Sequence, residues 1–140
     1  MDVKTIFLNG SLEEIIYMVQ AKGFIAIGQE KKVCKLQKSI YGLKQASRSW
    51  NLKFDQSIKL FKFLQCPYEP CVYKKCSDNV VVFLILYVDD ILLIENDVGT
   101  LSSVKVWLSA QFDMKDLEKV SHILGIKLLR DHQKRMLGLS

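Results

Sequence analysis

The stretch FLILYVDDILLIE, residues 83 to 95, sets two adjacent aspartates, Asp89 and Asp90, between two runs of apolar, strand-favouring residues. Such runs around a short polar break read as strand, tight turn, strand. That commits this part of the chain to a β-hairpin with its charges at one end. A plain turn fits imperfectly, because two-residue hairpin loops favour Asn-Gly or Asp-Gly, where glycine takes the positive φ. The local pattern leaves a plain turn and a functional carboxylate pair equally open. Two carboxylates ~4 Å apart at an effective dielectric of ~20 repel by about 4 kcal/mol. Partial burial by the flanking Ile, Leu and Val residues is expected to make ionisation costlier still. A compensating positive charge is therefore expected, and a hard divalent cation such as Mg²⁺, which takes carboxylate oxygens, is the most economical candidate.

Length and composition bound what surrounds this hairpin. The 140 residues amount to one domain, and 49% hydrophobic content is enough to bury a core. Four cysteines, Cys34, Cys66, Cys71 and Cys76, without a signal peptide argue against a secreted disulfide scaffold. Their spacing lacks the paired Cys-x-x-Cys of a zinc site, so reduced and mostly buried thiols in an intracellular, cytoplasmic protein are expected. The longest apolar run, Val80 to Ile94, is too short to span a membrane and contains both aspartates, so no membrane partner is expected.

Charge is unevenly distributed. Nine basic residues (Lys31, Lys32, Lys35, Lys38, Lys44, Arg48, Lys53, Lys59 and Lys62) stand against Asp55 alone, so residues 31 to 62 carry +8 of a chain whose net charge is +5. This segregation suggests a polyanion-binding segment beside an acidic site, with a merely solvated basic face as the alternative.

Periodicity predicts mixed α and β structure. Residues 2 to 8 read as the tail of a strand stopped by Asn9-Gly10, and 15 to 19 and 33 to 36 as strands around a glycine-containing loop. Leu43, Ala46, Trp50, Phe54, Ile58, Phe61 and Leu64 then recur at helical spacing, forming one buried stripe. Strands follow at 71 to 76, 80 to 87 and 91 to 95. A second helix is expected to begin at the N-cap Asp97, burying Val98, Leu101, Val104, Leu108 and Phe112. Two last strands are expected near 120 to 129 and 135 to 139. With no repeat or linker, the fold class is α+β, in one unit.

These residues also carry a resemblance. Tyr87-Val88-Asp89-Asp90 resembles the YxDD box of reverse transcriptases. The blocks DVKTIFLNGSLEEIIYM (2 to 18), KSIYGLKQASRSW (38 to 50), LYVDDILLI (86 to 94) and FDMKDLEKVSHILGIKLLRD (112 to 131) are similar, in order, to copia-type retrotransposon polymerases. The resemblance implies a palm-like antiparallel sheet with a YxDD hairpin packed against two helices. It also implies RNA-directed DNA polymerisation, a Pol polyprotein origin, an RNA or DNA template-primer and deoxynucleoside triphosphates as partners, and two Mg²⁺ ions, with Mn²⁺ as a substitute. In such chemistry two ions about 3.5–4 Å apart activate the primer hydroxyl and stabilise the leaving group, so carboxylates from separate strands must converge.

Carried over residue by residue, the resemblance implies Asp2, Asp89 and Asp90 as catalytic metal ligands. It implies Phe7 as an aromatic gate against ribonucleotides, Tyr41 and Gly42 beside the incoming nucleotide, and Lys44 and Arg48 facing template or triphosphate. Leu124 and Gly125 fall in a stretch that resembles the primer-grip hairpin, and Lys115 is a candidate for the acid that protonates pyrophosphate. Four positions depart from the family pattern: Ile6 replaces a small alanine and is expected to crowd the sugar pocket, Ser47 replaces proline, and Glu95 and Glu118 replace glycines. Residues 1 to 140 are expected to form a partial domain, a palm core without upstream fingers, thumb or ribonuclease H. Asp2, beside the first residue, is expected to be frayed. The chain alone is accordingly expected to be inactive or nearly so. The alternative is a degenerate, non-catalytic remnant with at most nonspecific nucleic-acid binding.

Overall fold

The computed structural model describes residues 1–77, 79–123, 125–131, 133, 134 and 136–140. Its elements in chain order are β1 (Asp2–Val3), α1 (Ile6–Asn9), β2 (Tyr17–Val19), β3 (Val33–Lys35), α2 (Ala46–Leu60), β4 (Leu64–Gln65), β5 (Val72–Ser77), β6 (Val80–Tyr87), β7 (Asp90–Glu95), α3 (Val98–Gln111), β8 (Met114–Lys115), β9 (His122–Ile123), β10 (Ile126–Asp131) and β11 (Met136–Leu139). A six-stranded antiparallel sheet runs β4-β5-β6-β7-β1-β8, and separate sheets are formed by β11-β10-β9 and by β2-β3. The chain is thus mixed α and β, as its periodicity predicts.

Alternation along β6 decides which face of the large sheet is covered. Val82, Leu84 and Leu86 are buried and stand opposite Glu95, Leu93 and Ile91 of β7. They join Val3 and Tyr73 in one core with Trp50, Phe54 and Ile58 of α2 and Val104 and Leu108 of α3. Successive strand side chains point to opposite faces, so the partners between them, Tyr87 with Asp90 and Phe83 with Ile94, lie on the face away from the helices. Pinning a hairpin by one buried face leaves a one-residue slip no alternative, because it would expose the whole apolar set.

Several local expectations are corrected. Residues 2 to 8 do not continue as a strand: β1 stops at Val3, and a single turn of helix follows from a left-handed Thr5 (φ 49°). That turn buries Ile6 in the core. The long stripe begins as turn, and α2 proper covers Ala46–Leu60, with Leu64 exposed beyond it. Asp97 does cap α3, its Oδ2 accepting from the Thr100 backbone N–H at 2.8 Å, but Val98 is exposed. The expected strand 120 to 129 is two strands, and all four thiols are free, with Cys34, Cys71 and Cys76 exposed rather than buried. Among the described residues no helix is long and apolar enough to cross a membrane.

Candidate functional site

The end of the β6–β7 hairpin is a two-residue turn: Tyr87 pairs with Asp90, and Val88 and Asp89 form the loop. Val88 has φ 55°. Two-residue turns of this kind place glycine at that first loop position, and a β-branched residue there is a true outlier. Such strain costs on the order of 1–3 kcal/mol and persists only where the surroundings enforce it. The flanking apolar residues do not bury the acids, contrary to expectation: Asp89 and Asp90 are both exposed at the rim.

Strand β1 sits beside this turn. Asp2 is the direct partner of Asp90, and the Val3 N–H donates to the Asp89 carbonyl oxygen at 2.9 Å. On its other side Asp2 is the partner of Lys115 in β8. Directly opposed residues share a face, so Asp90, Asp2 and Lys115 form a row across three strands on the face without helices. The expectation of a frayed Asp2 is therefore corrected, since β1 is an inner strand. Met1 is only 8% exposed, its ammonium donates to the Ile91 carbonyl oxygen at 2.8 Å, and its own carbonyl accepts from Ile91 N–H at 2.7 Å. Burial lowers the basicity of that ammonium, against the opposing pull of Asp116, Asp90 and Asp2.

The remaining implied residues fall into three places. Phe7 and Tyr41 meet edge to face with ring centroids 4.7 Å apart, Phe7 half-buried against the core and Tyr41 exposed. Gly42, next to Tyr41, has φ 91° and open space where a side chain would stand, so backbone conformation rather than close packing requires glycine there. Lys44 lies in the turn before α2, not on the helix. Arg48, in the first turn, is about 200° round the helix axis from Trp50. It lines a groove of about 310 Å³ with Ser11, Glu13, Glu14 and Lys53. Gly125, at φ 80°, lies between β9 and β10, whereas Leu124 lies outside the described residues. Sequence reasoning missed Trp50, whose Nε1–H donates to the Val88 carbonyl oxygen at 2.9 Å. A tryptophan on a helical stripe reads as core, and nothing in the pattern marks the donor.

Carboxylate oxygens on adjacent strands are the donor type that magnesium takes. Among the described residues no three His, Cys, Asp or Glu side chains close around one point as a metal-holding group. Residues 1–139 match the family described as Reverse transcriptase (RNA-dependent DNA polymerase). The chain belongs to the reverse transcriptase family. It is 50% identical over its whole length to the retrovirus-related Pol polyprotein from transposon TNT 1-94 of Nicotiana tabacum, of which it spans 11%. Over 93% of its length it is 35% identical to the Pol polyprotein from transposon RE1 of Arabidopsis thaliana, of which it spans 9%. A transposon Ty5-1 protein of Saccharomyces cerevisiae is 34% identical over 91% of the chain and is spanned to 42%. No solved structure is significantly similar. These likenesses make the chain a copia-type reverse transcriptase segment of a retrotransposon Pol polyprotein.

Proposed function

We propose that this reverse transcriptase segment is the palm core of an RNA-directed DNA polymerase, and that its YVDD turn and β1 together carry the nucleotidyl-transfer site. The observation that carries the reading is the Asp2–Asp90 register, which joins residues far apart in sequence at the rim of the open face. Asp2, Asp89 and Asp90 would hold Mg²⁺ or Mn²⁺. Bound ions would supply activation of the primer hydroxyl and stabilisation of the leaving pyrophosphate. The chain's own contribution is to fix the acids: β1 holds Asp2 between β7 and β8, and the hairpin holds the pair at its tip.

The Phe7–Tyr41 aromatic pair, with Gly42 beside it, is the candidate surface for a deoxynucleoside triphosphate, and Lys44, Arg48 and Gly125 for the template-primer. Lys115, across Asp2, is the basic group nearest in register to the acids. The 140 residues alone are expected to be inactive or nearly so as a polymerase, since they span only 11% and 9% of the tobacco and Arabidopsis Pol polyproteins they resemble.

Manganese titration with amide NMR tests the site without relying on turnover. Paramagnetic broadening is expected to centre on Val3, Asp89, Asp90 and Ile91 and to fall at least about tenfold in Asp89→Asn/Asp90→Asn. Broadening centred elsewhere, or indifferent to that double substitution, defeats the assignment. Primer extension with Mg²⁺ tests the accompanying claim, and robust synthesis abolished by Asp89→Asn would disprove the inactivity of the isolated chain. The alternative of a non-catalytic nucleic-acid binder predicts salt-sensitive RNA affinity that Asp89→Asn leaves unchanged.

A further inference from the structure

We propose that Trp50 is a positioning residue of the carboxylate site, its indole N–H holding the YVDD turn in the strained conformation that sets Asp89 and Asp90 beside Asp2. The proposal rests on the nucleotidyl-transfer reading for what the acids do, but not for how the turn is held. A valine at φ 55° opposes the turn it occupies, so the restraint must come from outside the hairpin. Two successive carbonyls of the turn are gripped from different elements. Val88 accepts from Trp50 on α2 at 2.9 Å, and Asp89 accepts from the Val3 N–H on β1 at 2.9 Å.

The donor on the helix side is itself immobile. Trp50 is 3% exposed, packed at 5.2 Å edge to face against Phe112 and at 5.5 Å beside Phe54. A buried indole N–H needs an acceptor, so the bond is reciprocal: if the turn relaxes, the indole is left unpaired in the core. Phenylalanine would fill much of the same space but could not donate. The apolar stripe of α2 and the acidic rim of the sheet are thereby joined through one hydrogen bond.

Amide hydrogen exchange in the 140-residue chain reads this directly, at Asp90 for the turn and across α3 for the fold. Trp50→Phe is expected to speed Asp90 exchange about five- to tenfold, the loss of one ordinary hydrogen bond, with α3 unchanged. In a Val88→Gly background the same substitution should have little effect, because glycine takes the positive φ without help. An equal acceleration in both backgrounds indicates general loosening, and no acceleration in either indicates a dispensable bond; each overturns the proposal. Should phenylalanine loosen α3 as well, benzothienylalanine at position 50 keeps the bicyclic ring and removes only the N–H, and the same two-background comparison decides. Loss of the manganese site with this exchange pattern intact would sink the nucleotidyl-transfer reading alone, whereas the converse would sink only the role given to Trp50.

Discussion

The β6–β7 hairpin and the β2–β3 ribbon are both antiparallel pairs, yet they are held in different ways. In β6–β7 every second residue enters a core shared with two helices, so burial fixes register as well as stability. In β2–β3 all six paired residues are exposed on both faces, and the connecting loop carries Phe24 and Ile27 into solvent. The ribbon keeps its register through three backbone pairs and the Gln20 amide, which donates to the Gln29 and Lys32 carbonyl oxygens at 2.7 and 2.8 Å. Two strands without a covered face are marginal in water. Apolar content therefore does not locate the core; the pairing partners and the helices above them do.

The largest test of this contrast is truncation at its two extremes. Phe54 is 0% exposed and touches the rings of Trp50, Tyr73 and Phe112. Phe54→Ala is expected to cost about 3–5 kcal/mol in urea unfolding, and a cost under about 1 kcal/mol would mean that the core is not where the burial places it. A smaller effect is expected at the seam between α1 and α2. A methyl group on Gly10 would stand 2.8 Å from Ser49 Cβ and 3.2 Å from the Trp50 backbone nitrogen. Gly10→Ala should therefore destabilise by about 1–3 kcal/mol through overpacking, and a neutral result would show that the seam can part.

A smaller effect, of opposite sign, is expected at Glu95. Its side chain lies on the helix-covered face opposite Val82, and neither carboxylate oxygen has a hydrogen-bond partner among the described residues. Burial raises its pKa above 4.5. The folded chain then binds the proton more tightly than the unfolded chain. Stability from Glu95 is full below about pH 4.5 and is lost as pH rises through the folded value. Glu95→Gln is expected to stabilise by about 1 kcal/mol at pH 7, the gain shrinking towards zero in acid. Thermal unfolding across pH checks it, and a gain that grows in acid would reverse the argument.

What could be read from sequence follows the same division. The β6–β7 hairpin and the Asp97 cap of α3 were legible because an apolar run around a polar break and a capping residue are local signals. The two-residue strands β4 and β8 carry no period at all, and α1 begins at a left-handed Thr5 without a side-chain cap. Spacing says nothing of the Asp2–Asp90 and Asp2–Lys115 pairs, which join residues far apart in the chain. Resemblance singled out the acids as candidate ligands, but it could not supply the strain at Val88 or the indole that meets it. At position 118 the resemblance expects glycine, and Glu118 has φ 59°, so the backbone keeps a glycine conformation that the side chain does not favour. Residue type does not set the exposure of the thiols: Cys76 pairs with Val81 on the face away from the helices, Cys34 stands in the ribbon exposed on both faces, and Cys71 precedes β5.

The smallest predicted change in stability is also the sharpest test of the ribbon. Phe24 is 85% exposed, and Ile27 near it is fully exposed. Neither removes much apolar area from water on folding, so Phe24→Ser/Ile27→Ser should leave the urea midpoint within about 0.5 kcal/mol of the parent. Contiguous exposed apolar surface and free strand edges promote association. The same double substitution should therefore raise the concentration at which the chain stays monomeric in sedimentation. If stability fell by several kcal/mol instead, the loop would have to pack in solution, and the difference between the two pairs of strands would be one of degree. If stability held and association were unchanged, the exposed side chains would be neutral, leaving the free backbone edges of β2 and β3 as the remaining source of self-association.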